Sequence, residues 1–273
     1  MGRIAVVGLT TIDWIDNDTS TPGGVPLHAL RALREFGTPG ITATKVAAAD
    51  RQLLVPLEEM AEALAWRAAA ETATYTLVHD PLSMERQVVI EALGDPWQPT
   101  EIDEWVLQAT RGCSFLHAGA LSLADFPTET LARLAQTHRV SLDGQGLVRP
   151  ARLGPVVHEA PSSLEMLEHV EVLKLALEEA AVLGIEPTHE SLARLGVADV
   201  VVTNGEKGAW IFAAGELVEI VGDPVSVKNT SGAGDGFIAC YLAARSEGAS
   251  PRDAGARAAD AVSALLRNRA GAS

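Results

Sequence analysis

Short apolar runs alternate with amphipathic stretches along almost the whole chain. Residues 3–8 (RIAVVG) read as a buried strand. Over 25–36 the pattern changes period. Leu27, Leu30, Leu33 and Phe36 fall at the spacing of one helix face, and Gly37 supplies the stop. Residues 41–47 return to a strand pattern, and 52–66 read as a helix. Residues 74–78 and 86–92 alternate with period two, the pattern of a hairpin. Further strands are predicted over 114–118, 140–143, 170–174, 200–203 and 210–212, mostly separated by helical segments. Two Ala-rich helices, 233–246 and 251–267, follow.

Strands that alternate with helices predict βαβ units, and hence a mostly parallel sheet covered on both faces. No repeat, low-complexity tract or long linker breaks the pattern. Residues 1–273 are therefore read as one α/β domain, with 74–92 as a small hairpin on it. A chain of 273 residues buries enough surface to need no metal or disulfide staple. The two cysteines, Cys113 and Cys240, stand far apart and fit a reducing compartment. The apolar run 4–9 is too short to span a bilayer or act as a signal peptide, so a soluble cytoplasmic protein is expected.

The formal net charge of −15 argues against a partner such as nucleic acid, which demands clustered Lys and Arg. It leaves nucleotide binding open, because backbone N–H groups, a helix N-terminus and a metal ion can hold phosphates without help from overall charge.

The most informative stretch is 227–240, VKNTSGAGDGFIAC. A short apolar run ends in Asn-Thr-Ser, and Gly232-Ala233-Gly234 then opens a helix whose first turn carries Asp235. Glycine lets the backbone approach a ligand, and amides at a helix N-terminus favour an anion. An Asp beside that turn could take the proton of an attacking hydroxyl while the amides hold a transferring phosphoryl group. Taken alone, the motif also fits a plain acidic loop. A dinucleotide fingerprint would need a third glycine and a place in the first βα turn, and no G-x-x-x-x-G-K-[ST] sequence occurs.

The segment resembles the C-terminal signature of the ribokinase-like (phosphofructokinase B type) carbohydrate kinases, usually Asp-Thr-Thr-Gly-Ala-Gly-Asp. Other pieces follow in that family's order: Gly8 and Asp13 after the first strand, Gly23-Gly24 before the first helix, 142–149 (LDGQGLVR), and 201–208 (VVTNGEKG). The resemblance runs from about Ile4 to Arg267, and 173–180 (LKLALEEA) looks closest to inositol-kinase-like members.

It implies a three-layer α/β/α ribokinase-like fold and an ATP-dependent phosphotransferase acting on a small sugar or polyol. By the same resemblance Asp235 would be the base, and the amides of Gly232, Ala233 and Gly234 the anion hole. Lys174, Thr203, Gly205, Lys207, Gly208 and Thr230 would lie along ATP, with Glu179 holding Mg2+ and a monovalent cation as a further cofactor. Asp13, Gly23, Gly24, His28 and Arg149 would face the acceptor. Read from the residues alone, Gly205 and Gly208 equally suit a β-turn, Asp13 suits a solvated loop, and His28 suits an exposed first turn.

Three positions depart from the family pattern. Asn229 replaces the first Asp of the signature, Ala176 replaces the Asn of an Asn-x-x-Glu magnesium motif, and His28 stands where the family offers Asn to its substrate. These departures set a nucleotide-binding regulator without turnover beside the kinase reading, with a nucleoside kinase as another alternative. Because only the nine residues from Trp14 to Pro22 part Asp13 from Gly23, the family's lid is expected to be reduced to the 74–92 hairpin. A monomer or homodimer is expected.

Overall fold

The computed structural model describes residues 2–16, 18–79, 86–223, 225 and 230–271. Its strands, in chain order, are β1 (Ile4–Leu9), β2 (Thr11–Ile15), β3 (Thr19–Gly23), β4 (Gly40–Ala47), β5 (Ala63–Ala69), β6 (Ala73–His79) and β7 (Arg86–Ala92). They continue as β8 (Phe115–Gly119), β9 (Arg139–Asp143), β10 (Gly154–Pro155), β11 (Val172–Ala176), β12 (Asp199–Thr203), β13 (Gly208–Ala213) and β14 (Glu216–Val221). Nine of them form one sheet in the order β14-β13-β12-β11-β9-β8-β1-β4-β5.

The pairings from β12 across to β5 are parallel, and β13 and β14 extend the sheet as an antiparallel ribbon. The mostly parallel sheet expected from the sequence is present. β1 is buried at all six positions, as its unbroken run of apolar and small residues requires of a strand covered on both faces. The helix Val25–Phe36 packs against the helices Ala233–Ser246 and Pro251–Gly271. Residues 235–244 of the middle helix are all buried, which is the expected fate of a helix apolar on every side. No helix among the described residues is long and apolar enough to cross a membrane.

The lid is not reduced. β10, β7, β6, β2 and β3 form a second, five-stranded sheet. β6 and β7 make the expected hairpin, but a further hairpin joins them, with Thr11 opposite Gly23 and Ile15 opposite Thr19. The reversal needs almost no chain. Asp16 takes a left-handed φ of 48°, and the Asp18 N–H donates to the Ile15 carbonyl at 3.0 Å. A tight turn therefore leaves both flanking segments free to pair, which the short spacing between Asp13 and Gly23 had concealed.

The helix expected over 52–66 is also replaced. A 3-10 turn, Ala48–Leu54, and one short helical turn, Val55–Glu58, lead into β5. The run ALAWRAA has strong intrinsic helix preference, yet it lines up in parallel beside β4 from Ile41–Ala63 to Ala47–Ala69. Tertiary pairing overrides local propensity here. The carboxyl ends of β9 and β12 then bring Asp143 and Thr203 to one end of the parallel strands, with Lys174 in β11 between them and Asp13 in β2 just beyond β1, the usual place for a ligand in an open α/β fold.

Candidate active site

The chain leaves β1 and enters the small sheet at Thr10, whose hydroxyl meets that of Thr44 at 2.8 Å. Thr11 donates its hydroxyl to Asp13 Oδ1 at 2.6 Å, which fixes the carboxylate. A Cβ on Gly23 would overlap that carboxylate, so glycine is required beneath it. Gly24 has a φ of +94°, and a side chain there would overlap the Leu9 carbonyl. Pro26, in the first turn, suits the start of the helix that follows.

The ends of β9 and β11 carry a buried charge cluster. Lys174 Nζ lies 3.3 Å from Asp143 Oδ2, and the Gln145 N–H donates to Asp143 Oδ1 at 3.1 Å. Glu179 Oε2 accepts the N–H of Ala176 at 2.7 Å. Burial alone would lower the Lys174 ammonium, but the carboxylates of Asp143, Glu179 and Asp235 outweigh it and hold the ammonium above its ordinary value. Burial raises Glu179, with Lys174 opposing. Asp235, only 8 % exposed, is raised to about 7 by burial first and then by Asp143, again against the pull of Lys174. One strand further along, His117 meets the Ser141 hydroxyl at 3.1 Å and is pushed down to about 4 by its complete burial, so it is neutral near pH 7.

The turn before the helix Ala233–Ser246 bends at Gly232, with φ 76° and ψ 8°. A Cβ on Gly232 would overlap the ring of His28, and a Cβ on Gly234 would stand 3.1 Å from Lys174 Nζ. His28 therefore backs the glycine turn. Ala233 differs from expectation: its N–H donates to the Thr230 carbonyl at 3.1 Å and is already engaged. Among the described residues, no backbone carbonyl accepts from the amides of Gly232 or Gly234.

Two cavities meet at this turn. A small one of about 140 Å³ draws Thr11 and Asp13 from β2, Gly24 and His28 from the first helix, and Tyr75, Leu77 and Val88 from the lid strands. A larger one of about 760 Å³ is lined by Lys174, Glu179, Thr203, Gly205, Gly208, Thr230, Ala233 and Gly234. Val225, Phe237, Ala259, Val262 and Leu266 add apolar surface to its lining. Gln145, Arg149, Ser231, Gly232 and Asp235 line both cavities.

Of the residues singled out in the sequence, Lys207 lies in an exposed turn and borders neither cavity, while Gly23 acts from beneath Asp13. Gly208 also satisfies the turn reading, since a side chain there would overlap the Ile220 carbonyl. Asn229 lies outside the described residues. Sequence reasoning missed Tyr75, Leu77, Val88 and Leu121, which only the small sheet and its neighbouring loop bring to the smaller cavity. It also missed Asp143 as the seat of Lys174, a role the pairing of β9 with β11 reveals.

Residues 63–273 match the model of the pfkB family of carbohydrate kinases. The chain belongs to that family. Among curated relatives, a fructokinase of Rhizobium leguminosarum bv. trifolii is 28% identical over 144 residues, 48% of this chain and 42% of its own length. A 2-dehydro-3-deoxygluconokinase of Escherichia coli (strain K12) is 28% identical over 193 residues, 66% of this chain and 62% of its own length. The matches thus span between two fifths and two thirds of those relatives. A pyrophosphate-dependent kinase in the ribokinase family, solved with a pyrophosphate analog and myo-inositol, superposes with a TM-score of 0.83 at 18% identity. That superposition covers 98% of this chain and 95% of the other. Ribokinase from Thermotoga maritima superposes with a TM-score of 0.69 at 20% identity, covering 97% and 92%. At such identities these two establish that the pfkB chain shares their fold.

Proposed function

We propose that this protein transfers the γ-phosphoryl group of ATP to a hydroxyl of a small sugar or polyol. The observation that carries the reading is the meeting of a small cavity and a large one, each lined by both polar and apolar groups, at Asp235 and the Gly232 turn. The donor's phosphates would lie over the open amides of Gly232 and Gly234, with Lys174 behind them. The apolar surface of Phe237, Ala259, Val262 and Leu266 would take the adenine. The acceptor would sit among Asp13, His28, Tyr75 and Arg149. The two sheets then serve as one catalytic unit, because the acceptor cavity takes residues from both the lid and the large sheet's edge.

In the step itself, the acceptor oxygen bonds to the γ-phosphorus as the bridging bond to the β-phosphate oxygen breaks. The hydroxyl proton passes to an Asp235 carboxylate oxygen, and ADP leaves. A base with a pKa near the working pH is well matched to that proton transfer. Arg149, bordering both cavities, is placed to offset charge on the transferring group.

Magnesium would enter with the nucleotide. No group of three or more His, Cys, Asp or Glu side chains among the described residues forms a ready metal site. That suits a cation usually held by one or two carboxylates plus substrate phosphates and water. Glu179 and Glu178, both at the donor cavity, are the carboxylates that would hold it, and it would neutralise phosphate charge there.

The test is ADP release with magnesium across inositols, pentoses, hexoses, sugar acids and nucleosides, with Asp235→Asn as the control. Acceptor-dependent release that this substitution abolishes supports the kinase. Nucleotide binding with no release on any acceptor supports the regulator instead. Inorganic pyrophosphate belongs in the donor panel because of the neighbour solved with its analog. The apolar surface, which pyrophosphate would leave unused, favours ATP.

A further inference from the structure

The reverse side of the glycine turn carries a second piece of chemistry. Arg269, near the end of the helix Pro251–Gly271, donates from Nη1 to the carbonyl of Ser231 at 2.9 Å. Ser231 and Gly232 share one peptide unit. No peptide bond among the described residues is cis, so in that planar trans unit the carbonyl and the N–H point in opposite directions. A cation fixed on the Ser231 carbonyl therefore directs the Gly232 N–H away from itself. Ser231 and Gly232 both border the two cavities, and the amide has no backbone acceptor among the described residues. A charge-assisted bond to the carbonyl also polarises the peptide and makes its N–H a stronger donor.

Arg31, one helical turn beyond His28, stands near enough for its charge to act on Arg269. Burial lowers both guanidiniums, and in Arg269 the Arg31 charge adds to the effect. The Arg31 charge therefore adds to the positive field behind the Ser231–Gly232 peptide.

We propose that Arg269 is a positioning residue for the anion hole, orienting and polarising the Gly232 N–H through the Ser231 carbonyl without touching the phosphoryl group. This rests on the kinase reading above, and the experiment separates the two. Arg269→Ala and Arg269→Lys are compared with the unaltered protein for kcat, acceptor KM, and thermal-shift affinity for inorganic phosphate. Loss of a whole anion-hole donor costs about 10²–10³ in rate, so misdirecting one predicts a kcat about tenfold lower in Arg269→Ala. Acceptor KM should stay within about twofold, because Arg269 itself lines neither cavity. Phosphate affinity should fall, Arg269→Lys should lie in between, and millimolar guanidinium should restore part of the loss in Arg269→Ala but none in Asp235→Asn.

A folded Arg269→Ala protein whose kcat and phosphate affinity both stay within about twofold of the unaltered protein overturns the proposal. So does a loss that Arg269→Lys shares in full, that guanidinium leaves untouched and that tracks a lower melting temperature, since that pattern is packing alone. If the unaltered protein turns over no acceptor yet its phosphate affinity depends on Arg269, the positioning role stands and the kinase reading falls.

Discussion

Replacing Asp235 by Asn should remove activity and raise stability, and the second effect should depend on pH. The Asp235 carboxyl is buried and its pKa is raised to about 7. An unfolded chain releases that proton in the ordinary carboxylate range, whereas the folded protein keeps it until near neutrality. The folded state thus binds more protons across that interval, so stability falls as pH rises toward 7 and levels off above. At about 1.4 kcal/mol for each tenfold change in proton affinity, the ionised carboxylate costs the fold up to about 4 kcal/mol at pH 8. Asn keeps the shape and sheds the charge. At about 2–4 °C per kcal/mol for a chain of this size, Asp235→Asn should melt several degrees higher at pH 8. Near pH 4 both side chains are neutral and the gap should close. Turnover should meanwhile drop by about 10²–10⁴, the usual worth of a general base. Differential scanning calorimetry from pH 4 to 8, beside ADP release, measures both. A gap that keeps the same size at every pH, or an Asn variant that melts lower at pH 8, would refute the assignment of burial as the cause.

Three further outcomes follow from the same geometry. Lys174→Met leaves Asp143, Glu179 and Asp235 without their cation; it should destabilise by about 3–5 kcal/mol in urea melts and move the rise of kcat with pH to higher pH. Tyr75→Phe removes one polar atom from the acceptor cavity at a cost of about 1 kcal/mol, so acceptor KM should rise about fivefold with ATP KM unchanged in steady-state kinetics. Gly232→Ala meets both a positive φ, worth about 1–2 kcal/mol, and the His28 ring; adding His28→Gly should restore part of the lost melting temperature, and equal loss in single and double variants would refute the contact.

The parts of the site that were legible in the sequence share one property: each is written within a few consecutive residues. Gly232, Gly234 and Asp235 need only the local sequence of a glycine turn opening a helix. The apolar run of β1 and the threefold stripe of the first helix are equally self-contained. What stayed hidden depends on partners far away. β5 reads as helix because Ala and Leu dominate it, and only β4 makes it a strand. The Thr11–Gly23 hairpin escaped notice because its turn occupies so few residues. Tyr75 looks like any aromatic in an alternating strand until that strand is laid beside β2. Arg269 stands 38 residues beyond the carbonyl it holds, and no local pattern joins them.

The first helix has an additional consequence for how the molecule can move. β3 runs through Gly23 and Gly24 directly into that helix, whose first turn places His28 against Gly232. The helix is thus a short rod with the lid hairpin at its head and the glycine turn at its flank. On the kinase reading proposed above, an acceptor that draws the hairpin inward would load the rod, and the load would arrive at the peptide proposed to meet the donor, coupling acceptor seating to the donor side.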